Sequence, residues 1–139
     1  MNTVVDQAAT AAIVLPRINE HIPGKGIFRG VMPGLDGAPD YKLFEQREPL
    51  PTGNWKDALQ AARDSRAEGQ EDWSLPALPE AALLYAVAKG EHEADWYWTS
   101  EPYGSGSAWC QLFHYGNQYW IYQSNSYIRG CAVRREPIQ

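Results

Sequence analysis

The chain has 139 residues, 44% of them hydrophobic and 21% charged, proportions that suit one compact domain and exclude a mainly disordered, collagen-like or coiled-coil chain. Its net charge of −5 offers no favourable long-range field to a polyphosphate backbone, so nucleic-acid binding is disfavoured. Six Trp, eight Tyr and three Phe are the compositional anomaly, and most of them fall between Trp96 and Tyr127.

In chain order, residues 1–25 read as a lead-in segment ahead of a domain at 26–139. The longest apolar run, 8–15, is closed by Pro16, far short of the ~20 residues that span a bilayer. No basic residue precedes it as in a secretory signal. The expectation is a chain made in the cytoplasm without a signal peptide and with no membrane insertion. Residues 26–31 and 41–44 then read as an antiparallel hairpin, with Asp36-Gly37 in its loop.

Pro49, Pro51 and Gly53 break the chain before a helix capped by Asn54, striped by Trp55, Ala58, Leu59 and Ala62, and ended by Gly69. Trp73-Ser74-Leu75-Pro76 is an extended link. Pro79 opens a second helix with Leu83, Leu84, Val87 and Ala88 on its apolar side, up to Lys89-Gly90. From there the pattern is short strands at 96–99, 108–113, 118–122 and 130–134, reversed at Gly104-Ser105-Gly106-Ser107 and at Tyr115-Gly116-Asn117.

No phosphate-binding loop, dinucleotide fingerprint, serine nucleophile elbow or zincin helix motif is present. Glu91-His92-Glu93-Ala94-Asp95 holds metal-type donors, but consecutive donors diverge, so it reads as a solvated acidic loop and no metal or cofactor is assigned. Cys110 and Cys131 read as two buried thiols, with one disulfide between neighbouring strands as the alternative. Cys110 and His114 stand roughly 13 Å apart along a strand and form no dyad. His21 reads as an isolated surface residue. Arg129, Arg134 and Arg135 read as solvated or paired with structural acids, with an anion clamp as the alternative.

The aromatics divide by neighbourhood. Trp96, Trp98, Trp109 and Phe113 sit in strand patterns and are expected in the core. Tyr119, Tyr122 and Tyr127 are interleaved with Asn117, Gln118, Gln123, Ser124, Asn125 and Ser126, a composition like that of an antibody paratope. With Tyr103, the candidate ligand-binding set is Tyr103, Asn117, Tyr119, Tyr122, Ser124, Asn125 and Tyr127; no catalytic residue is assigned.

Residues 26–135 resemble the domains of unknown function numbered 1566, found in bacterial lipoproteins and prophage genes. The resemblance rests on Gly30 to Tyr41 with its Asp36-Gly37-Ala38-Pro39 turn, on Trp55-Lys56-Asp57-Ala58, and on Asp72-Trp73-Ser74-Leu75-Pro76 followed by Glu80. It continues through Trp96-Tyr97-Trp98-Thr99-Ser100-Glu101, Ser107-Ala108-Trp109 and Gly116-Asn117-Gln118, and closes on Arg129-Gly130-Cys131-Ala132-Val133-Arg134-Arg135. It implies an α+β, C-type-lectin-like fold of two helices on short, twisted antiparallel sheets. Ser74 and Ala77 depart from the family's Arg and Thr, which implies loss of a buried salt link and a helix cap. The calcium-dependent sugar motifs of true C-type lectins are absent, and Glu101-Pro102-Tyr103 only grazes one.

The resemblance also implies a phage- or prophage-encoded, non-enzymatic recognition protein, incorporated into a virion and binding a protein or glycan ligand on a bacterial surface. Residues 117–127 resemble the segments that diversity-generating retroelements mutate in some relatives. The alternative is a structural or assembly subunit whose aromatic surface is a homo-oligomer interface. An enzyme like the formylglycine generators, which share the fold, is disfavoured because both cysteines are embedded in strand-like sequence.

Overall fold

The computed structural model describes residues 14–138, so most of the apolar run at 8–15 lies outside the described residues. Their order is β1 (His21–Ile22), β2 (Gly26–Met32), β3 (Tyr41–Glu45), β4 (Leu50–Gly53), α1 (Trp55–Asp64), α2 (Leu78–Ala88), β5 (Trp96–Tyr103), β6 (Ser107–Leu112), β7 (Gln118–Tyr122), β8 (Ile128–Gly130) and β9 (Val133–Pro137). Single 3-10 turns occupy Ala67–Gly69 and Lys89–Glu91. The fold is α+β, with a four-stranded sheet in the order β1-β2-β3-β9 and a five-stranded sheet in the order β4-β8-β5-β6-β7. The sequence predicts antiparallel pairing only, but β5 meets β8 in parallel at Tyr97 and Arg129. Among the described residues no helix is long and apolar enough to cross a membrane.

The β2–β3 hairpin runs from Ile27 opposite Glu45 to Met32 opposite Tyr41. Its register slips between Phe28 and Gly30, leaving Arg29 as the unpaired extra residue of a bulge. Arg29 is thereby buried. In α1, Asn54 Oδ1 accepts the Asp57 N–H at 2.9 Å, and the small Ala58 and Ala62 let the helix lie close to the sheet. The helix stops at Asp64 rather than at Gly69, because Ser65 turns to extended backbone and its hydroxyl is engaged with the Gln46 side chain. Gly69 instead ends the separate 3-10 turn. The apolar face of α2 centres on Ala81, Leu84 and Ala88, with Leu83 and Val87 only half-buried.

Two further corrections concern strands. Residues 130–134 do not form one strand: β8 ends at Gly130 in the five-stranded sheet, and β9 begins at Val133 in the four-stranded one. Cys131 and Ala132 cross between them, both buried. The Pro49–Gly53 region is not merely a break, since β4 pairs with β8 and tolerates Pro51 as an edge strand.

The core has two parts. On the α1 side lie Ala58, Ala62, Trp73, Leu75, Trp98 and Cys110; on the α2 side lie Met32, Leu43, Leu84, Tyr97, Phe113, Cys131 and Val133. The indole N–H groups of Trp55, Trp73 and Trp98 donate to the carbonyls of Thr99, Ala67 and Gly53, so burying these rings strands no donor. Beneath α2 lies an ion pair: Glu80, 1% exposed, receives Arg135 Nη2 at 2.6 Å and Nε at 2.7 Å as well as the Tyr41 hydroxyl. Arg135, reaching Glu80 from β9, also donates to Ser74 Oγ at 2.7 Å. Ala77 caps nothing with its side chain, but its N–H is taken up by Glu80 Oε1 at 2.8 Å.

Burial would raise the Glu80 pKa, but the hydrogen bonds and charge of Arg135, the Tyr41 hydroxyl and the Ala77 N–H hold it below the usual glutamate value; burial and Glu80 push Tyr41 up to about 12. With the folded pKa below the unfolded one, this link stabilises the protein fully above about pH 4.5 and the contribution is lost as pH falls through the folded pKa. Urea midpoints measured from pH 7 down to pH 3 should therefore fall more steeply for the wild type than for Glu80→Gln. At pH 7 that variant should lose about 1–3 kcal/mol, less than a fully buried pair would, since Arg135 keeps 35% of its side-chain exposure.

Candidate functional site

The β5–β6–β7 end of the larger sheet gathers the exposed rings. Register places Tyr103 opposite Ser107, Ser107 opposite Tyr122, and Trp109 opposite Trp120. Strand alternation then sets Trp109, Trp120 and Tyr122 on one face. Tyr103 stacks on Trp120 with ring centroids 5.6 Å apart and planes 9° from parallel, and meets Trp109 edge-on at 5.2 Å. Trp120 also stacks with Tyr119 at 5.3 Å and meets Tyr122 at 5.8 Å, in the offset and edge-on geometries that ring quadrupoles favour. Tyr103, Tyr119 and Tyr122 are 48%, 54% and 66% exposed, so this shelf is open to solvent.

Trp109, half-buried, belongs to the shelf rather than to the core where its strand phase puts it. The N-terminus of α2 meets the sheet at Gln118, whose Nε2 donates to the Leu78 carbonyl at 2.8 Å, and Trp120 and Tyr122 continue along β7 beyond that cover. Trp98 and Phe113 are fully buried, and Trp96 packs partly buried against the α1-side core. Trp120 is the shelf residue that composition alone misses. The Leu112 N–H bond to the Asn117 carbonyl at 2.9 Å fixes the hairpin register that sets it opposite Trp109.

The other candidates lie around the shelf. Asn117 is exposed at the β6–β7 reversal, at the opposite end of β7 from Tyr122, and Ser124 is exposed just beyond Tyr122. Asn125 is half-buried and spends its Oδ1 on the Tyr127 N–H at 2.9 Å, shaping a turn. Tyr127 is 83% exposed and takes part in none of the ring pairs among the described residues.

A second polar centre lies beside Phe113, past the end of β6. The donors at residues 91–95 diverge as neighbours along a chain do: Glu91 meets Arg29 at 3.2 Å and Asp95 meets Arg129 at 3.2 Å. The segment is not wholly solvated, however. His92 turns inward with its side chain 5% exposed, stacks on Phe113 at 4.3 Å, and bonds through Nε2 to Glu45 Oε2 at 2.6 Å and through Nδ1 to the Ala88 carbonyl at 2.8 Å. Glu45 Oε1 receives Arg29 Nε at 2.9 Å. Burial alone would lower the His92 pKa, but Glu45 and the Ala88 carbonyl outweigh it and hold it above the usual histidine value.

Cys110 and Cys131 are both free and buried, and burial raises both thiol pKa values. No disulfide joins them, because Cys110 faces the α1-side core and Cys131 the α2-side core. Arg134 is held by Asp72 at 2.9 Å and Glu136 at 3.1 Å, so it and Arg135 are paired with structural acids rather than forming an anion clamp. His21 is paired as well, with Glu68 at 2.7 Å.

Neither a scan against protein-family models nor a search of curated proteins finds a match for this chain.

The shelf depends on Gln111, fully buried, whose Nε2 donates to the Gly116 carbonyl at 2.9 Å and whose Oε1 receives Gln118 Nε2 at 2.9 Å. Gly116, at φ 87°, admits no side chain, since a Cβ there would lie 2.5 Å from the Tyr85 ring. Gln111→Leu should cost about 1–3 kcal/mol by leaving the Gly116 carbonyl unpaired. Urea denaturation checks the magnitude, and hydrogen exchange should show faster opening of residues 115–119.

Proposed function

We propose that this protein is a non-enzymatic recognition module that engages a protein or glycan ligand through the aromatic shelf of β5–β7. The observation that carries the reading is a contiguous group of stacked rings at the edge of a sheet, exposed Tyr103, Tyr119 and Tyr122 resting on half-buried Trp109 and Trp120, with exposed Asn117 and Ser124 beyond the two ends of β7. Rigid rings with hydroxyl tips give contact area at low conformational cost, and neighbouring small polar groups adapt to a partner. The same reading takes the α+β architecture as C-type-lectin-like; support comes from the two helices and the two sheets. An array of bacterial surface glycans is the direct test. Wild-type protein should bind a subset, and Tyr103→Ala/Tyr119→Ala/Tyr122→Ala should abolish binding with thermal stability within a few degrees of wild type. Retained binding by the triple variant would overturn the site.

A second reading, assembly, has its own observation. β7 is the terminal strand of its sheet, and residues 115–127 contain no charged side chain and no proline, the devices that commonly keep edge strands from pairing with another chain. Sedimentation velocity over a wide concentration range separates the two. Recognition predicts a monomer throughout; a dimer lost in the triple variant favours assembly.

A further inference from the structure

We infer that Glu45, His92 and Cys131 form a binding site for a zinc-class divalent cation, unrelated to the aromatic shelf. Their ligand atoms, a carboxylate oxygen, an imidazole nitrogen and a thiol sulfur, all lie within 4.8 Å of one another. All three line one cavity of about 460 Å³, whose walls also include Glu91, Arg129 and Pro51. Three protein ligands from separate elements, with room beside them for a water, is the pattern of an open zinc site. The nitrogen and sulfur select zinc or its cobalt surrogate over calcium and magnesium, which take oxygen donors.

The outer contacts fit this role. His92 donates Nδ1–H to the Ala88 carbonyl at 2.8 Å, which fixes the tautomer and aims Nε2 at the cluster, as a metal-bound histidine requires. Glu45 has one oxygen anchored by Arg29 at 2.9 Å and turns the other toward His92. The Nε2–Oε2 distance is 2.6 Å, and a tetrahedral zinc with bonds near 2 Å separates such ligands by ~3.3 Å, so the pair must open by less than ~1 Å.

The charge balance also closes. Both His92 nitrogens face acceptors, so the metal-free ring carries two protons, and Cys131, buried beside a carboxylate, carries its thiol proton. Binding forms Zn–N, Zn–S and Zn–O bonds and releases the Nε2 and Sγ protons to solvent. A dication replaces two protons, and the net charge of the buried site is unchanged. Arg29 keeps its partners Glu45 and Glu91 on either side of the exchange.

The test is titration of the reduced protein with cobalt(II) and zinc(II). Wild-type protein should take up one cobalt per chain with a thiolate-to-cobalt charge-transfer band in the near ultraviolet. Cys131→Ser should lose that band and Cys110→Ser should keep it. In weakly buffered solution near pH 6, zinc should release about two protons per ion bound and raise the unfolding midpoint of the wild type, a readout that needs no variant to fold. No band and no proton release in folded wild-type protein, or a band that follows Cys110 instead of Cys131, would overturn the site.

Discussion

The two-residue passage from β8 to β9 is the constraint on which the rest of the molecule hangs. Gly130 ends its strand in one sheet and Val133 begins in the other, with only Cys131 and Ala132 between, so the sheets are held at a fixed separation at that point. The backbone there is buried and its polar groups need partners. Gln46 donates its N–H to the Ala132 carbonyl, and Val133 exchanges both backbone bonds with Ser74, which draws the link before α2 into the junction. Trp73 and Leu75, on either side of Ser74, are thereby set into the core.

From that junction β9 distributes charge in opposite directions. Arg134 and Arg135 are neighbours on a strand, so they point to opposite faces: one to Asp72 and Glu136, the other to Glu80 under α2. The Arg29 bulge does the same for β2 and brings a guanidinium against Glu45. Buried ion pairs of this kind often contribute little net stability compared with apolar packing, but losing one partner is costly, so they restrict which arrangement of sheets and helices is tolerated. Here they fix α2 above β9 and the segment after α2 above β3.

What was legible in the sequence was what local chemistry decides. The Asp36-Gly37 loop, the Asn54 cap and the Gly116 reversal locate their elements because each acts on residues within one turn of itself. The end of α1 was missed because it is set by the contact of Ser65 with Gln46, a residue just past β3 and far away in sequence. The break at Cys131-Ala132 was missed for the same reason, since an apolar run reads alike whether its pairing partner changes midway or not. Trp109 has the phase of a core residue, and the place where α2 ends its cover leaves it half-buried. The Tyr119 and Tyr122 neighbourhood is local and could be read from composition; the stacking of Tyr103 on Trp120 requires three strands in register. The cluster of Glu45, His92 and Cys131 joins a strand end, a helix exit and a crossover, and no spacing announces it.

In the proposed recognition role the shelf depends on this framework and not on its rings alone. Exposed aromatic side chains on a mobile loop would lose rotamer freedom on meeting a partner, which subtracts from affinity. Here β6 and β7 are tied to α2 through Gln111 and Gln118, the start of α1 is tied to the residue after β7 by the Trp55 N–H bond to the Gln123 carbonyl, and the Trp55 indole donates to Thr99 in β5. Each strand carrying a shelf ring is therefore anchored to a helix, and the rings already rest against one another. The ordering that recognition normally requires has been met by folding.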